Sequence, residues 1–66
     1  MTARKLGMKL KALRTTSGAT QMALAKKVRV TQAYIALLEK GRENPTLDTL
    51  RRLAKALKVP VTELVK

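Results

Sequence analysis

The chain has 66 residues, the size of one small domain, and carries 15 Lys and Arg against four Asp and Glu, a formal net charge of +11. It has no Cys and no His, so a disulfide is excluded, a typical zinc site is disfavoured, and no catalytic constellation stands out. We therefore expect a protein that is not an enzyme and binds no cofactor. Because self-repulsion of this size destabilises a small domain, the charge favours a polyanionic partner such as nucleic acid.

The first predicted helix begins at the N-cap Thr2 and ends before Gly18. Leu6, Leu10 and Leu13 recur in it at helical spacing, and the cations lie mostly on its other side. This pattern predicts an amphipathic helix that packs one face against the rest of the domain.

The segment 20–41 predicts two short helices joined by a tight turn. Thr20 can cap the first and Thr31 the second, and Gly41 is typical of a helix end. Counted at about 100° per residue, the second helix buries one face and leaves the other free. The residues on its free face are Gln32, Ala33, Ala36 and Leu37. A helix held from one side in this way is the right size to enter the major groove of DNA.

A fourth helix begins near Pro45 and Thr46, and a last helical turn follows Pro60. The apolar residues that share one face of the fourth helix are Leu50, Leu53, Ala54 and Leu57. Without an internal repeat or linker, residues 1–66 are expected to form a single domain. The longest apolar run is too short to span a bilayer and no signal-peptide core is present, so we expect a cytoplasmic protein with no membrane partner.

The order and spacing of these signals resemble the phage-repressor helix-turn-helix family, also called Cro/repressor-like or Xre. The residues that carry the resemblance are Thr20, Gln21, Leu24, Ala25, Val30, Thr31, Ile35, Glu39, Gly41, the segment 45–50, Ala54 and Leu57. The resemblance covers nearly the whole chain. It implies a compact all-α domain of five helices, usually dimeric on DNA, in which the second and third helices form the motif and the third reads the bases.

The resemblance also implies roles for individual residues. The predicted base contacts are Gln32, Ala33 and Leu37. The phosphate contacts that the resemblance predicts are Gln21, Lys40, Arg42 and Asn44, and the chemistry of the side chains adds Arg29 and Tyr34 to them. Physical chemistry supports Gln32 independently, because its amide can donate to and accept from adenine at once. The ring of Tyr34 is expected to pack at the margin of the third helix with its hydroxyl toward a phosphate, although packing alone explains it as well.

Three further predictions concern structure and assembly. In related proteins the positions of Arg14 and Glu39 form a partly buried ion pair between the first and third helices, so we predict a structural role for both. Arg29 stands where most relatives have glycine, and a left-handed backbone there would cost on the order of 1 kcal/mol. The residues predicted to form a dimer interface are Val61, Leu64 and Val65, although for at least Leu64 core packing is the stronger explanation.

These features predict a sequence-specific regulator of transcription that binds double-stranded DNA, as a homodimer on a palindromic operator. The alternative is an antitoxin or a coactivator-like module that binds a protein partner, such as a toxin, through the apolar outer face of the third helix. A cationic membrane-active helix is a third possibility for the N-terminal segment, but the regular cap and turn signals favour a folded domain.

Overall fold

The computed structural model describes residues 2–65, in which the regular structure is entirely helical. The five helices are α1 (Ala3–Ser17), α2 (Gln21–Val28), α3 (Gln32–Glu39), α4 (Leu47–Leu57) and α5 (Thr62–Val65). They form a body of 25 × 22 × 21 Å. The all-α, five-helix prediction is therefore confirmed.

Threonine caps the N-termini of the first four helices. Thr2, Thr20, Thr31 and Thr46 each accept a hydrogen bond from the backbone N–H three residues further on, over 3.0 to 3.1 Å. Each bond satisfies one of the N–H groups that a helix start leaves without a partner inside the helix. Because this interaction is local, the sequence predicted all four helix starts.

The same four helices also end alike. Residues 18, 29, 41 and 58 have a left-handed backbone, with φ between 59° and 82°. At each end the left-handed residue donates its N–H to the carbonyl three positions earlier, and the next residue donates to the carbonyl five positions earlier. This is the Schellman arrangement, in which the orphan carbonyls of the last helical turn gain partners. Two of the four left-handed residues are glycine, and the other two are Arg29 and Lys58.

The core consists almost entirely of aliphatic side chains from all five helices. Its buried members are Leu6, Leu10, Leu24, Ala25, Val28, Ile35, Leu38, Leu50, Leu53, Ala54, Leu57 and Leu64. α2 packs on α3 and on α4, while α1 packs on α3, α4 and α5. With one helix face each in a shared core, these short helices gain from packing the stability they would lack alone.

Leu64 corrects one prediction about assembly. Its side chain has no exposed surface and lies in the core of the monomer, so it cannot form part of a dimer interface. Val61 and Val65 are partly buried and pack against the same core. A single helical turn carries too little periodicity to show whether its apolar side meets the domain's own core or a partner.

None of the helices within residues 2–65 combines the length and the apolar character that a membrane crossing requires.

Candidate nucleic-acid interface

α3 presents two contrasting faces. Ile35 and Leu38 are buried on the inner face, whereas Gln32 and Ala33 are exposed on the outer one. Leu37 also faces outward, with 39% of its surface exposed. The three predicted base contacts therefore lie together on the free face of α3.

Ala36 differs from the prediction, because it is half-buried and not fully outward. It lies one residue, or about 100°, from the inward Ile35 and therefore at the edge of the inner face. The apolar outer strip of α3 is consequently reduced to Ala33 and Leu37.

A hydrogen-bonded junction orients α3 from the inside. Arg14 on α1 donates to both carboxylate oxygens of Glu39 at the end of α3, with Nε–Oε2 at 2.5 Å and Nη2–Oε1 at 3.0 Å. The side chains of Arg14 and Glu39 are only 11% and 3% exposed. Arg14 also donates to the carbonyl of Ala19, 2.9 Å away, between α1 and α2. The structure thus brings together the two residues predicted to form an ion pair.

Gln21 on α2 completes this junction. Its Nε2 donates to Oε1 of Glu39 over 3.0 Å, so one carboxylate links α1, α2 and α3. A glutamine amide has two N–H donors, and this bond uses one of them. Gln21 is half-buried at the first turn of α2.

The electrostatics of the junction favour the charged forms of both partners. Burial alone would raise the pKa of Glu39, but hydrogen bonds from Arg14 and Gln21 and the nearby positive charges outweigh it and lower the pKa. The hydrogen bond to Glu39 raises the pKa of Arg14. Glu39 is therefore held as a carboxylate, which lets it accept all three hydrogen bonds.

Two glycines, one on α1 and one just after α3, allow the backbone of α1 to lie close to the end of α3 and to the loop that follows it. A Cβ added to Gly7 would lie 2.7 Å from the carbonyl oxygen of Glu39, and one added to Gly41 would lie 2.8 Å from Cα of Arg4. Both neighbours are backbone atoms, which cannot rotate away as side-chain atoms can. The sequence did not predict this role for Gly7, although a glycine inside a helix is a known sign of close packing.

The loop after α3 carries three of the predicted phosphate contacts. Tyr34, which lies on α3 itself, is half-buried and packs against the core. Lys40, Arg42 and Asn44 are all exposed. The Arg42 N–H donates to the carbonyl of Leu37 over 2.9 Å, which fixes the start of this loop against α3. The close approach of Gly41 also brings exposed Arg4 to the loop, a cation that helical periodicity does not single out.

Arg29 occupies a different part of the molecule. Its backbone is left-handed, with φ of 61°, and the turn keeps the regular hydrogen bonds of a helix end. Its side chain lines a groove between α2 and α4 to which no residue of α3 contributes. The structure therefore does not group Arg29 with the outward residues of α3.

The arrangement of α2, its turn and α3 defines a helix-turn-helix protein. A family model described as a helix-turn-helix domain matches residues 5–65, and the chain belongs to that family. It is 44% identical over 66 residues to an uncharacterized HTH-type transcriptional regulator of Sinorhizobium fredii, covering 98% of this chain and 86% of that protein. It is also 38% identical over 60 residues to the immunity repressor of Bacillus phage phi105, covering 91% of this chain but only 42% of the repressor.

Solved structures agree with this family assignment. The restriction-modification controller protein C.AhdI of Aeromonas hydrophila has a TM-score of 0.91 and 34% identity, over 94% of each chain. The clp gene regulator ClgR of Corynebacterium glutamicum has a TM-score of 0.93 and 30% identity, over 96% of this chain and 67% of the regulator.

Proposed function

We propose that the chain is a sequence-specific regulator of transcription that binds double-stranded DNA by inserting α3 into the major groove. The observation that carries the proposal is the pairing of an inner face fixed by the Arg14–Glu39–Gln21 junction with an outer face that leaves Gln32, Ala33 and Leu37 free. A helix held rigidly from behind can present its side chains to base edges in a defined register.

Gln32 is the main candidate for reading a base. It follows the N-cap Thr31 and is exposed at the first residue of α3, and recognition helices contact bases mainly through their N-terminal residues. Its amide can bond N6 and N7 of adenine together. Ala33 and Leu37 offer only apolar contact, which suits thymine methyl groups.

The phosphate contacts come from the residues around α3. We assign these contacts to Gln21, Tyr34, Lys40, Arg42 and Asn44, and we add Arg4. Cations and exposed amides at these positions would fix the register of α3 on the duplex without reading sequence. The large positive net charge would add attraction over a longer range.

The short α3 spans few base pairs, so we infer that two copies act together on a palindromic operator. Val61 and Val65 remain candidates for the contact between the copies.

As a regulator of this kind, the protein would act in the cytoplasm. The relatives named above are regulators, and they give no support to the antitoxin alternative.

Two alanine variants test the proposal, because they should change DNA binding in different ways. Gln32→Ala should cost about 1–3 kcal/mol of binding free energy at a single base pair of the preferred site and little on random duplex. Arg42→Ala should weaken binding to every sequence and lower the slope of log affinity against log salt by about 0.9. Fluorescence anisotropy titrations at several salt concentrations measure both quantities. Equal losses for Gln32→Ala on specific and random DNA would remove it as a base reader.

A further inference from the structure

A second cationic surface lies between the end of α2 and α4, and we call it the α2–α4 groove. It is a recess of about 550 Å³. Its charged and exposed lining residues are Lys27, Arg29, Arg52, Lys55 and Lys58, with the half-buried Ala56 between them. Among these five cations, only Arg52 has a carboxylate partner within residues 2–65. That partner is the exposed Asp48, one turn earlier on α4, at 3.0 Å. The other four positive charges of the groove are not neutralised by that pair.

The helix ends give an independent reason to regard this groove as a site. All four Schellman turns demand the same left-handed backbone, yet two use glycine and two use a long cation. Arg29 and Lys58 are the only non-glycine residues with positive φ in the described part of the chain, and both line the α2–α4 groove. A strained backbone at a non-glycine residue is a recognised sign of function.

Helix dipoles do not fully explain these two cations. A cation near a helix C-terminus gains about 0.3–1 kcal/mol, which is less than the roughly 1–2 kcal/mol that a left-handed backbone costs a non-glycine residue. The dipole also exists at the ends of α1 and α3, where glycine occupies the turn. A ligand of opposite charge at the groove accounts for the difference.

The shape and chemistry of the groove narrow the choice of ligand. A second copy of this chain is a poor ligand for this groove because it carries only four Asp and Glu against 15 Lys and Arg, so it has few carboxylates to pair with the groove cations. The groove has no aromatic ring to stack on a base, since Tyr34, the one aromatic residue of the chain, lies elsewhere. The two helix ends that border it present carbonyl groups, so the groove lacks the converging N–H groups that hold a single phosphate tightly, and an anion here must be held by the separate side-chain cations.

We propose that the α2–α4 groove binds an acidic, partly apolar segment of a partner protein. Carboxylates on an extended chain can each meet one of the separate cations, and arginine and lysine clusters are a common means of binding acidic motifs. Ala56 and the aliphatic stems of the lysines offer apolar surface that a DNA backbone would not use. Because no residue of α3 lines the groove, the partner can bind while α3 occupies DNA.

The test uses a short fluorescent peptide of glutamate and leucine as the probe, with a lysine and leucine peptide as its control. The key variant is Arg29→Gly combined with Lys58→Gly, which removes two groove cations while giving both turns the residue their backbone favours. The matched control is Lys5→Gln combined with Arg51→Gln, which removes two exposed cations outside the groove lining. Both variants therefore have the same net charge.

We expect the acidic peptide to bind the wild-type protein and the lysine peptide not to bind. The glycine variant should bind the acidic peptide about five- to tenfold more weakly, the control variant less than twofold more weakly. The melting temperature of the glycine variant should equal or exceed that of the wild type, which separates lost binding from lost folding. Because these titrations contain no DNA, their outcome does not depend on the proposed function.

Three results would overturn the proposal. Equal loss of peptide affinity in both variants would show attraction to net charge alone. A greater loss of random-duplex DNA affinity in the glycine variant than in its charge-matched control would assign the groove to the DNA backbone. Displacement of the labelled peptide by pyrophosphate at lower concentration than by unlabelled peptide would assign it to a free anion.

Discussion

The inner and outer faces of α3 differ in how strongly contacts within the fold constrain their residues. On the inner side, a buried carboxylate accepts three hydrogen bonds from two other helices, and the backbone of α1 touches the end of α3 at Gly7. On the outer side, the residues predicted to meet bases include a single hydrogen-bonding side chain, that of Gln32. The inner face permits few changes, while the outer face can change without loss of the fold.

This contrast separates how a reading helix is positioned from what it reads. Buried hydrogen bonds to a charged group are costly to break, so they fix the orientation of α3. Exposed side chains contribute little to stability, so they are free to set specificity. Variants on the two sides should therefore affect different measurements.

The largest stability effect is expected for Glu39→Gln. This change removes the negative charge but leaves the buried guanidinium of Arg14, at a cost of about 3 kcal/mol of unfolding free energy. Urea denaturation measures the loss. Combining it with Arg14→Gln should restore part of the stability, because no buried charge then lacks a partner. An unchanged midpoint for Glu39→Gln would contradict the structural role of the junction.

A somewhat smaller effect is expected for Gly7→Ala. The added methyl group would collide with the backbone of Leu38 and Glu39, so α1 and α3 must separate, at about 1–3 kcal/mol. The matched control is Met8→Ala on the exposed side of α1, which should change stability by less than about 0.5 kcal/mol. Equal unfolding midpoints for the two variants would show that the close contact between α1 and α3 does not contribute to stability.

Acid should weaken the junction in a defined direction. The pKa of Glu39 is lower in the folded protein than its ordinary value of about 4.3, so its contribution is complete above that value. The contribution is lost as the pH falls through the lowered pKa of the folded state. Thermal melts between neutral pH and about pH 2 should show a destabilisation that is reduced in Glu39→Gln. The same acid dependence in both proteins would assign the effect to the other carboxylates.

The smallest stability effects are expected on the outer face. Gln32→Ala and Leu37→Ala should each change the free energy of unfolding by less than about 0.5–1 kcal/mol, since both residues are exposed. Their melting temperatures, measured beside those of the junction variants, test the contrast between the faces directly. A loss as large as that of Glu39→Gln would mean that the outer face also supports the fold.

The sequence predicted those features that depend on neighbouring residues. The threonine caps, the glycine turns and the leucine stripes follow from local hydrogen bonding and helical periodicity, and the structure contains them all. Contacts between residues far apart in the sequence were harder to predict. The ion pair of Arg14 and Glu39 came from family resemblance, because no periodicity relates residues 25 positions apart.

The features that the sequence did not predict arise from tertiary packing. Gly7 is one of three glycines, and nothing local shows that a backbone from α3 lies against it. The α2–α4 groove gathers cations that are spread over residues 27 to 58, which form a site only after α2 and α4 pack together. The wrong assignment of Leu64 has the same origin, since only the packed fold shows which core its side chain enters.

Selection of bound fragments from random duplex DNA tests the central claim, that α3 is held from within so that its outer face can read a sequence. The proposed function predicts enrichment of a two-fold symmetric sequence, with half-sites about one helical turn apart, roughly 34 Å. Gln32→Ala should relax the preference at one position in each half-site. Wild-type protein that retains DNA without enriching any sequence would contradict the claim.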